Sequence, residues 1–439
     1  MIIGHRVQIL SAFQNKEYVR LWLSAFFSYV SQMVQTTTLA WFVLERTDSP
    51  FYVALVGVFA FTPTFVLGVF GGLLADRIDR VRLLYTTQAV NLMAALTFLF
   101  LAITDRVEFW HAYPIISVVG IGWTLDFASR RSLIHDCLGD RLLTNGMALE
   151  AICMHSSKMI GPMLAGFLIS QVGNSGVYGV VVGFYLVSIA MILSLRMSSM
   201  NEIRTSLHRA NPRIPVDSPN TGTHGRGFAG VVHDLARDIE DGFRYAIGHK
   251  TIRGVIFITL LMNLLLYPYM QMVPVIARDT LGAGPVLMGV LLSAAGAGSV
   301  IGAVFIAAAG DLSHQGRVFV VGASLAMAAL LLFSFSYWYP VSLILLMILG
   351  LVGAGFGTMQ ATIIMLVARK DIRGRALGVM ALAIGVMPAG LLVTGAVASR
   401  FTPSVALGIN AGVGLGLVVV TALLSTDVWR RIVPNEDFK

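Results

Sequence analysis

Apolar runs, each about as long as a bilayer core is thick, recur along the whole chain, and this repetition constrains the fold more than any motif does. A hydrocarbon core of about 30 Å needs roughly 20 residues of helix to cross it. Within the 439 residues, twelve such runs are read, separated by short charged or Gly/Pro-bearing stretches: 18–44, 51–74, 82–104, 110–128, 143–170, 175–195, 252–277, 285–309, 317–336, 341–366, 372–399 and 403–425. Only helices and closed barrels satisfy every backbone hydrogen bond in lipid, and runs this long predict helices. A composition that is 56% hydrophobic and 12% charged excludes an ordinary soluble globular protein. The expected fold class is therefore an all-α membrane protein with twelve transmembrane helices.

The distribution of charge predicts an orientation. The net charge of +8 could point to nucleic acid, but with both termini placed in the cytoplasm 26 of the 31 Lys and Arg fall on cytoplasmic segments. Arg46, Arg106, Arg278 and Arg400 fall outside, and Lys158 lies within a run. This is the positive-inside bias of a multi-pass protein of the cytoplasmic membrane, with no nucleic-acid partner expected. Trp41, Trp110 with Tyr113, and Tyr337, Trp338 and Tyr339 are expected at the outer membrane–water boundary. Met1 to Arg20 is too polar for a cleavable signal peptide. Cys137 and Cys153 give neither a disulfide framework nor enough ligands for a metal cluster.

One long polar stretch divides the runs into six and six. The expected organisation is an N-terminal six-helix bundle over 1–195, a cytoplasmic linker over 196–251, and a C-terminal six-helix bundle over 252–439. The middle of the linker is rich in Pro, Gly, Ser and Thr, whereas Val232, Leu235, Ile239, Phe243 and Ile247 recur at helical spacing, predicting a helix on the inner membrane surface. Weak echoes between the halves, such as Asp76 and Arg82 against Asp311 and Arg317, agree with a pseudo-repeat. Such repeats place a substrate site near the membrane midplane, between halves that rock around it.

The stretch GGLLADRIDRVRLL, Gly71 to Leu84, resembles the signature loop of the major facilitator superfamily. The form with Asp79 resembles that family's macrolide-efflux and enterobactin-exporter branch. The resemblance implies the two-times-six major facilitator fold and a conformational latch of Gly72, Asp76, Arg77 and Arg80, in which Asp76 meets a helix end and pairs with Arg80 to close the inner side. In TNGMALEAICMHSSKMIGPMLAG, Gly161, Pro162 and Gly166 resemble the helix-bend motif of antiporters. Pro bends a helix and small residues admit a neighbour, so the motif has a mechanical reading. In GIGWTLDFASRR, Asp126 stands near the place where the family carries a basic residue in its fourth span. The resemblance implies secondary active export, with a small molecule and protons as partners, by a monomer embedded in the lipid bilayer.

Gly296, Gly298 and Gly302, and Gly353, Gly355 and Gly357, lie inside apolar runs with no following Lys-Ser/Thr, which predicts close helix contacts rather than a nucleotide loop. No catalytic constellation is readable, so no enzyme activity, cofactor or metal is expected.

Two surfaces are candidates for a substrate cavity. Ser24, Ser28, Gln32, Gln35 and Thr38 make a polar stripe at helical spacing in the first run, which fits either a cavity wall or a helix–helix hydrogen-bond seam. Pro268 and Pro274 break the seventh run beside Tyr267, Tyr269 and Gln271, which fits either a cavity lining or core packing. Lys158 is the anomaly of the chain. A cation at mid-membrane is costly unless it is paired, faces water or gives up its proton. Asp126 has Arg130 four residues away, and Glu150 lies eight residues from Lys158, about 12 Å along a helix. Lys158 is expected to meet an anionic group of the substrate, or else to tie backbone carbonyls of neighbouring helices. Glu150, with Asp126 and His155, is expected to carry proton coupling. The expected function is export of a small amphipathic compound, drug- or siderophore-like, by proton antiport; a lysophospholipid flippase or passive facilitator is the alternative.

Overall fold

The computed structural model describes residues 11–77, 79–195, 240–309, 314–369, 372–425 and 429, with the side chains of 68–77 outside that set. Every regular element among the described residues is helical. Among the described residues, nine segments are long and apolar enough to cross a membrane. The N-terminal half contains α1 (Lys16–Thr47), α2 (Pro50–Arg77), α3 (Arg80–Ile103) and α4 (Ala112–Leu193). The C-terminal half contains α5 (Lys250–Leu261), α6 (Tyr269–Asp279), α7 (Pro285–Ala308), α8 (Gln315–Ser334), α9 (Tyr339–Val367), α10 (Arg373–Ile384), α11 (Met387–Arg400) and α12 (Pro403–Leu424).

The 82 residues of α4 would stretch about 120 Å as one rod, several times the thickness of a hydrocarbon core. Gly139 (φ 61°, ψ −179°) and Gly173 (φ 64°, ψ −178°) interrupt it in a region open to glycine alone. These breaks divide α4 into rods over 112–138, 140–172 and 174–193. A five-residue π-helical stretch, Met262–Leu266, joins α5 to α6, and a short break joins α10 to α11. Below, "inner" and "outer" follow the orientation expected from charge.

α1, α2 and α3 pack on α4, while α7, α8, α9, α11 and α12 pack among themselves. The halves meet chiefly where α4 packs on α7 and α2 on α11. Glycine makes these crossings close. A Cβ at Gly166 would strike the carbonyl of Pro285, one at Gly289 the carbonyl of Pro162, and one at Gly296 would lie 2.9 Å from the carbonyl of Lys158. Small residues at these positions therefore set the distance between the halves. Gly298 and Gly302 press in the same way on Met347 and Leu351 of α9. Gly353 and Gly357 have open space around them, so the expectation of close contacts fails there: their helix turns these positions away from any neighbour.

Among the expected boundary aromatics, Trp110, Tyr337 and Trp338 are exposed. Trp41 and Tyr113 are buried instead. Trp41 satisfies its indole N–H on Glu45 at 2.6 Å, which lets the ring pack inward without water. Of the linker, residues 240–248 are helical, with Phe243 and Ile247 exposed and Asp241 bridged to Arg375 at 3.2 Å. Val232, Leu235 and Ile239 lie outside the described residues.

Candidate functional site

The interior of the N-terminal half holds a charged network. Arg130, fully buried, has each of its three guanidinium nitrogens engaged: Nε donates to Asp126 Oδ2 at 2.8 Å, Nη1 to the carbonyl of Leu21 at 3.1 Å and Nη2 to Ser24 Oγ at 3.1 Å. Asp126 also accepts from Gln88 Nε2 at 3.2 Å, and the same amide nitrogen donates to Ser28 Oγ at 2.9 Å. Ser24 and Ser188 lie 3.0 Å apart. A buried ion pair is tolerated when its remaining hydrogen-bonding capacity is met, and here neighbouring helices meet it.

A second carboxylate borders this network. Glu150, on the 140–172 rod, is buried and accepts a hydrogen bond from the Tyr29 hydroxyl. The Tyr29 ring lies 5.7 Å from the guanidinium carbon of Arg130, so one side chain touches both carboxylate systems. The expectation that Asp126 replaces a basic residue in the fourth run is corrected here. Arg130 supplies a wholly buried cation one turn from Asp126; it belongs to the bundle interior and not to the inner loop. Sequence spacing exposed the i,i+4 pair, but nothing in the sequence placed Tyr29 on Glu150 or Gln88 on Asp126, because these are contacts between rods.

The polar stripe of α1 is a hydrogen-bonded seam for much of its length. Ser24, Ser28 and Gln35 are engaged, Gln35 donating to the Tyr185 hydroxyl at 2.7 Å, and Gln32 is buried among the same helices.

Lys158 differs from every buried charge in the network. It is half-buried, and no hydrogen bond or ion pair to it occurs among the described residues. Its rod forms the seam with α7: Gly161 lies against Met33 of α1, Ser293 Oγ donates to the carbonyl of Met159 at 2.5 Å, and Gly296 backs onto the carbonyl of Lys158. His155, one turn before, has a buried Nδ1 with no partner.

The seventh run is broken at Pro268 as expected, but not at Pro274, which α6 carries inside it. Pro268 lacks an N–H, which frees the carbonyl of Leu264 four residues earlier, and that carbonyl abuts Gly390 of α11. Tyr269 and Gln271 are buried and Tyr267 is half-buried. Gln271 packs on the other half, its Cγ 2.7 Å from where a Cβ of Gly57 would stand. At the outer end Arg278 bridges the halves, donating from Nη1 to Asp48 Oδ1 at 2.8 Å and to the carbonyl of Leu44 at 3.1 Å, and from Nε to Asp279 at 2.6 Å.

The side chains of Asp76 and Arg77, with the setting of Gly72, lie outside the described residues. Arg80 is described, and its Nη1 meets Asp136 of α4 at 2.8 Å, while the expected pairing with Asp76 lies outside the described residues. Asp136 lies at the inner end of the 112–138 rod, directly across the short loop that begins α3, and so reaches Arg80 within the same half.

Membrane-length helices, a two-part bundle and buried charge beside a seam of small residues define a multi-pass helical membrane protein. The Major Facilitator Superfamily description matches residues 21–389 and 255–436, and the chain belongs to that family. It is 22% identical to the uncharacterized MFS-type transporter YkuC of Bacillus subtilis over 251 residues, 56% of this chain and 54% of the relative. It is 26% identical to the staphyloferrin A transporter of Staphylococcus aureus over 153 residues, 34% of this chain and 37% of the relative. The chain thus spans only about a third to a half of the length of the curated relatives it matches. A solved POT family transporter bound to 5-aminolevulinic acid superposes with a TM-score of 0.70 at 10% identity, covering 95% of this chain and 97% of that one, a likeness of fold. The family and these relatives are transporters, not enzymes.

Proposed function

We propose that this protein exports a small amphipathic compound bearing an anionic group across the cytoplasmic membrane, by alternating access coupled to proton entry. Both termini face the cytoplasm, in twelve crossings. Lys158 receives the anionic group, and Glu150, eight residues nearer the inner side, carries the coupled proton. The observation that carries this reading is the contrast between two cations of the N-terminal half. Arg130, fully buried, has each guanidinium nitrogen bonded to protein, whereas the half-buried Lys158, at the seam between the halves, has no partner among the described residues. A cation left without a protein partner at that depth is a substrate or ion contact by default. In this reading Tyr267, Tyr269 and Gln271 from the C-terminal half and Gln32 and Gln35 from the N-terminal half complete the substrate contacts. The inner latch of Gly72, Asp76, Arg77 and Arg80 alternates with the outer Arg278 bridge.

The test is transport into inverted vesicles of paired acidic and neutral amphipathic compounds. Lys158→Gln is expected to weaken uptake of the acidic member by roughly tenfold or more while leaving the neutral one within about twofold, the loss expected for one desolvated ionic contact. Equal losses for both compounds, with normal expression, would make Lys158 a structural tie.

A further inference from the structure

Six buried side chains in the N-terminal half keep polar atoms without a hydrogen-bond partner. They are Gln32 Nε2, Gln35 Oε1 and Thr38 Oγ1 on α1, Gln88 Oε1 and both amide atoms of Asn91 on α3, and the Tyr178 hydroxyl on the 174–193 rod. All six residues are 2% exposed or less.

Contacts and helical register place them in one column. Gln88 bonds Ser28 and Asp126. One turn outward on α3, Asn91 lies against Gly122, itself one turn outward from Asp126; a Cβ at Gly122 would stand 2.6 Å from both amide atoms of Asn91. One turn outward from Ser28 is Gln32, followed by Gln35, whose amide reaches Tyr185 at 2.7 Å. Two turns outward from Tyr185 lies Tyr178. Its ring stacks on Phe98 at 4.0 Å, and Phe98 meets Phe42 at 5.4 Å, an aromatic plug at the column's outer end. At the inner end stand Asp126, Arg130 and Ser24.

Buried polar atoms in folded proteins are paired with protein or with ordered water, and a buried water needs two to four polar partners close together. Here the protein supplies no partner, and the orphaned atoms follow one another at single-turn intervals along facing helices. An apolar core would have been free to use Leu or Val at these positions.

We propose that the N-terminal half encloses a column of ordered water, walled by α1, α3 and the first and last rods of α4, that conducts protons from the outer plug to the Asp126, Arg130 and Glu150 cluster. The proposal rests on the proton-coupled reading above. Protons from the outer aqueous phase hop along hydrogen-bonded water, one entering as one leaves, so no bond of the protein changes until a carboxylate is reached. The titratable groups facing that end are Asp126 and Arg130 on the first rod, Tyr29 on α1, Tyr185 on the last rod and Glu150 on the middle rod; α3 contributes only the neutral Gln88.

The experiment combines radiolytic hydroxyl labelling with transport, both on the full-length protein in lipid. Bound water beside a buried ring labels that ring, so Tyr178 and Tyr185 are expected to be labelled in the wild type. The double variant Asn91→Leu, Thr38→Val should lower Tyr178 labelling by about threefold or more as column water is displaced. In the same variant, gradient-driven transport should fall about tenfold while substrate exchange without a gradient persists, as expected for a damaged proton relay. Thr38→Val alone, nearly isosteric, provides the same readouts if the double variant folds poorly. An unlabelled Tyr178 in the wild type would mean the column is dry and would overturn the proposal. Labelling that is lost while gradient-driven transport stays intact would remove the conducting role. Wild-type transport indifferent to a proton gradient would sink the coupled reading itself, while the labelling would still decide whether the water is there.

Discussion

The two halves share an architecture and differ in what they bury. Among the described residues the N-terminal half encloses Asp126, Arg130 and Glu150, whereas the fully buried polar groups of the C-terminal half are all neutral, such as Thr259, Asn263, Thr394 and Asn410. The C-terminal groups are paired locally: Asn263 donates to the carbonyl of Thr259 at 2.8 Å and Asn410 to Thr394 Oγ1 at 2.7 Å. The N-terminal groups form a network across α1, α3 and α4, and six side chains of that half, Gln88 of the network among them, keep unpaired polar atoms. An unsatisfied buried polar group costs about 1–3 kcal/mol, so a dry N-terminal column would use up much of an ordinary protein's net stability. Stability alone would not select such an interior. Among the described residues, the buried charge is thus confined to the N-terminal half.

The sharpest way to break this comparison is to remove one member of the buried pair. Arg130→Met leaves Asp126 buried without its cation and is expected to destabilise the protein by about 3–5 kcal/mol, whereas the double variant Arg130→Met, Asp126→Leu recovers most of that loss. Thermal unfolding in detergent checks both. Equal stabilities of the single and double variants would show that the pair is not coupled.

The seam between the halves comes next. Gly296→Val forces a side chain against the backbone of Lys158 and should cost about 1–3 kcal/mol by overpacking, with transport reduced more than stability. Gly357→Val, in open space on α9, is the control and should leave transport near wild type.

Within the C-terminal half, Asn410→Leu removes one neutral hydrogen bond and should cost only about 1 kcal/mol, measured by the same unfolding assay. A cost as large as that of Arg130→Met would erase the proposed asymmetry.

The smallest effect is expected at the outer bridge. Arg278 and Asp48 are partly exposed, with side-chain exposures of 27% and 81%, so screening limits the pair to about 0.2–1 kcal/mol. Arg278→Gln should shift the balance toward outward-open conformers by a few-fold at most, and high salt should reproduce the shift in the wild type. Accessibility labelling of cysteines placed at the outer end would register it.

How much of this was legible in sequence depends on the range over which each contact acts. The helices follow from hydropathy because every membrane crossing must satisfy its own backbone, and the break at Pro268 follows from a missing N–H. The Asp126–Arg130 pair was visible because both partners sit one turn apart on one helix. Lys158 stood out because an ammonium among apolar residues is anomalous in any setting. The Tyr29–Glu150 bond, the Gln88 bridge and the burial of Trp41 were not legible, since each depends on which faces of separate rods meet. The glycines divide in the same way: composition marked Gly296 and Gly357 alike, and only packing separates the one against a backbone from the one in open space.

Coupling of protons to transport by a carboxylate of the N-terminal half is tested by Glu150→Gln in proteoliposomes, with gradient-driven accumulation and gradient-free exchange measured on the same preparation. Accumulation is expected to be abolished while exchange continues at close to the wild-type rate; undiminished accumulation in the variant would overturn coupling through Glu150.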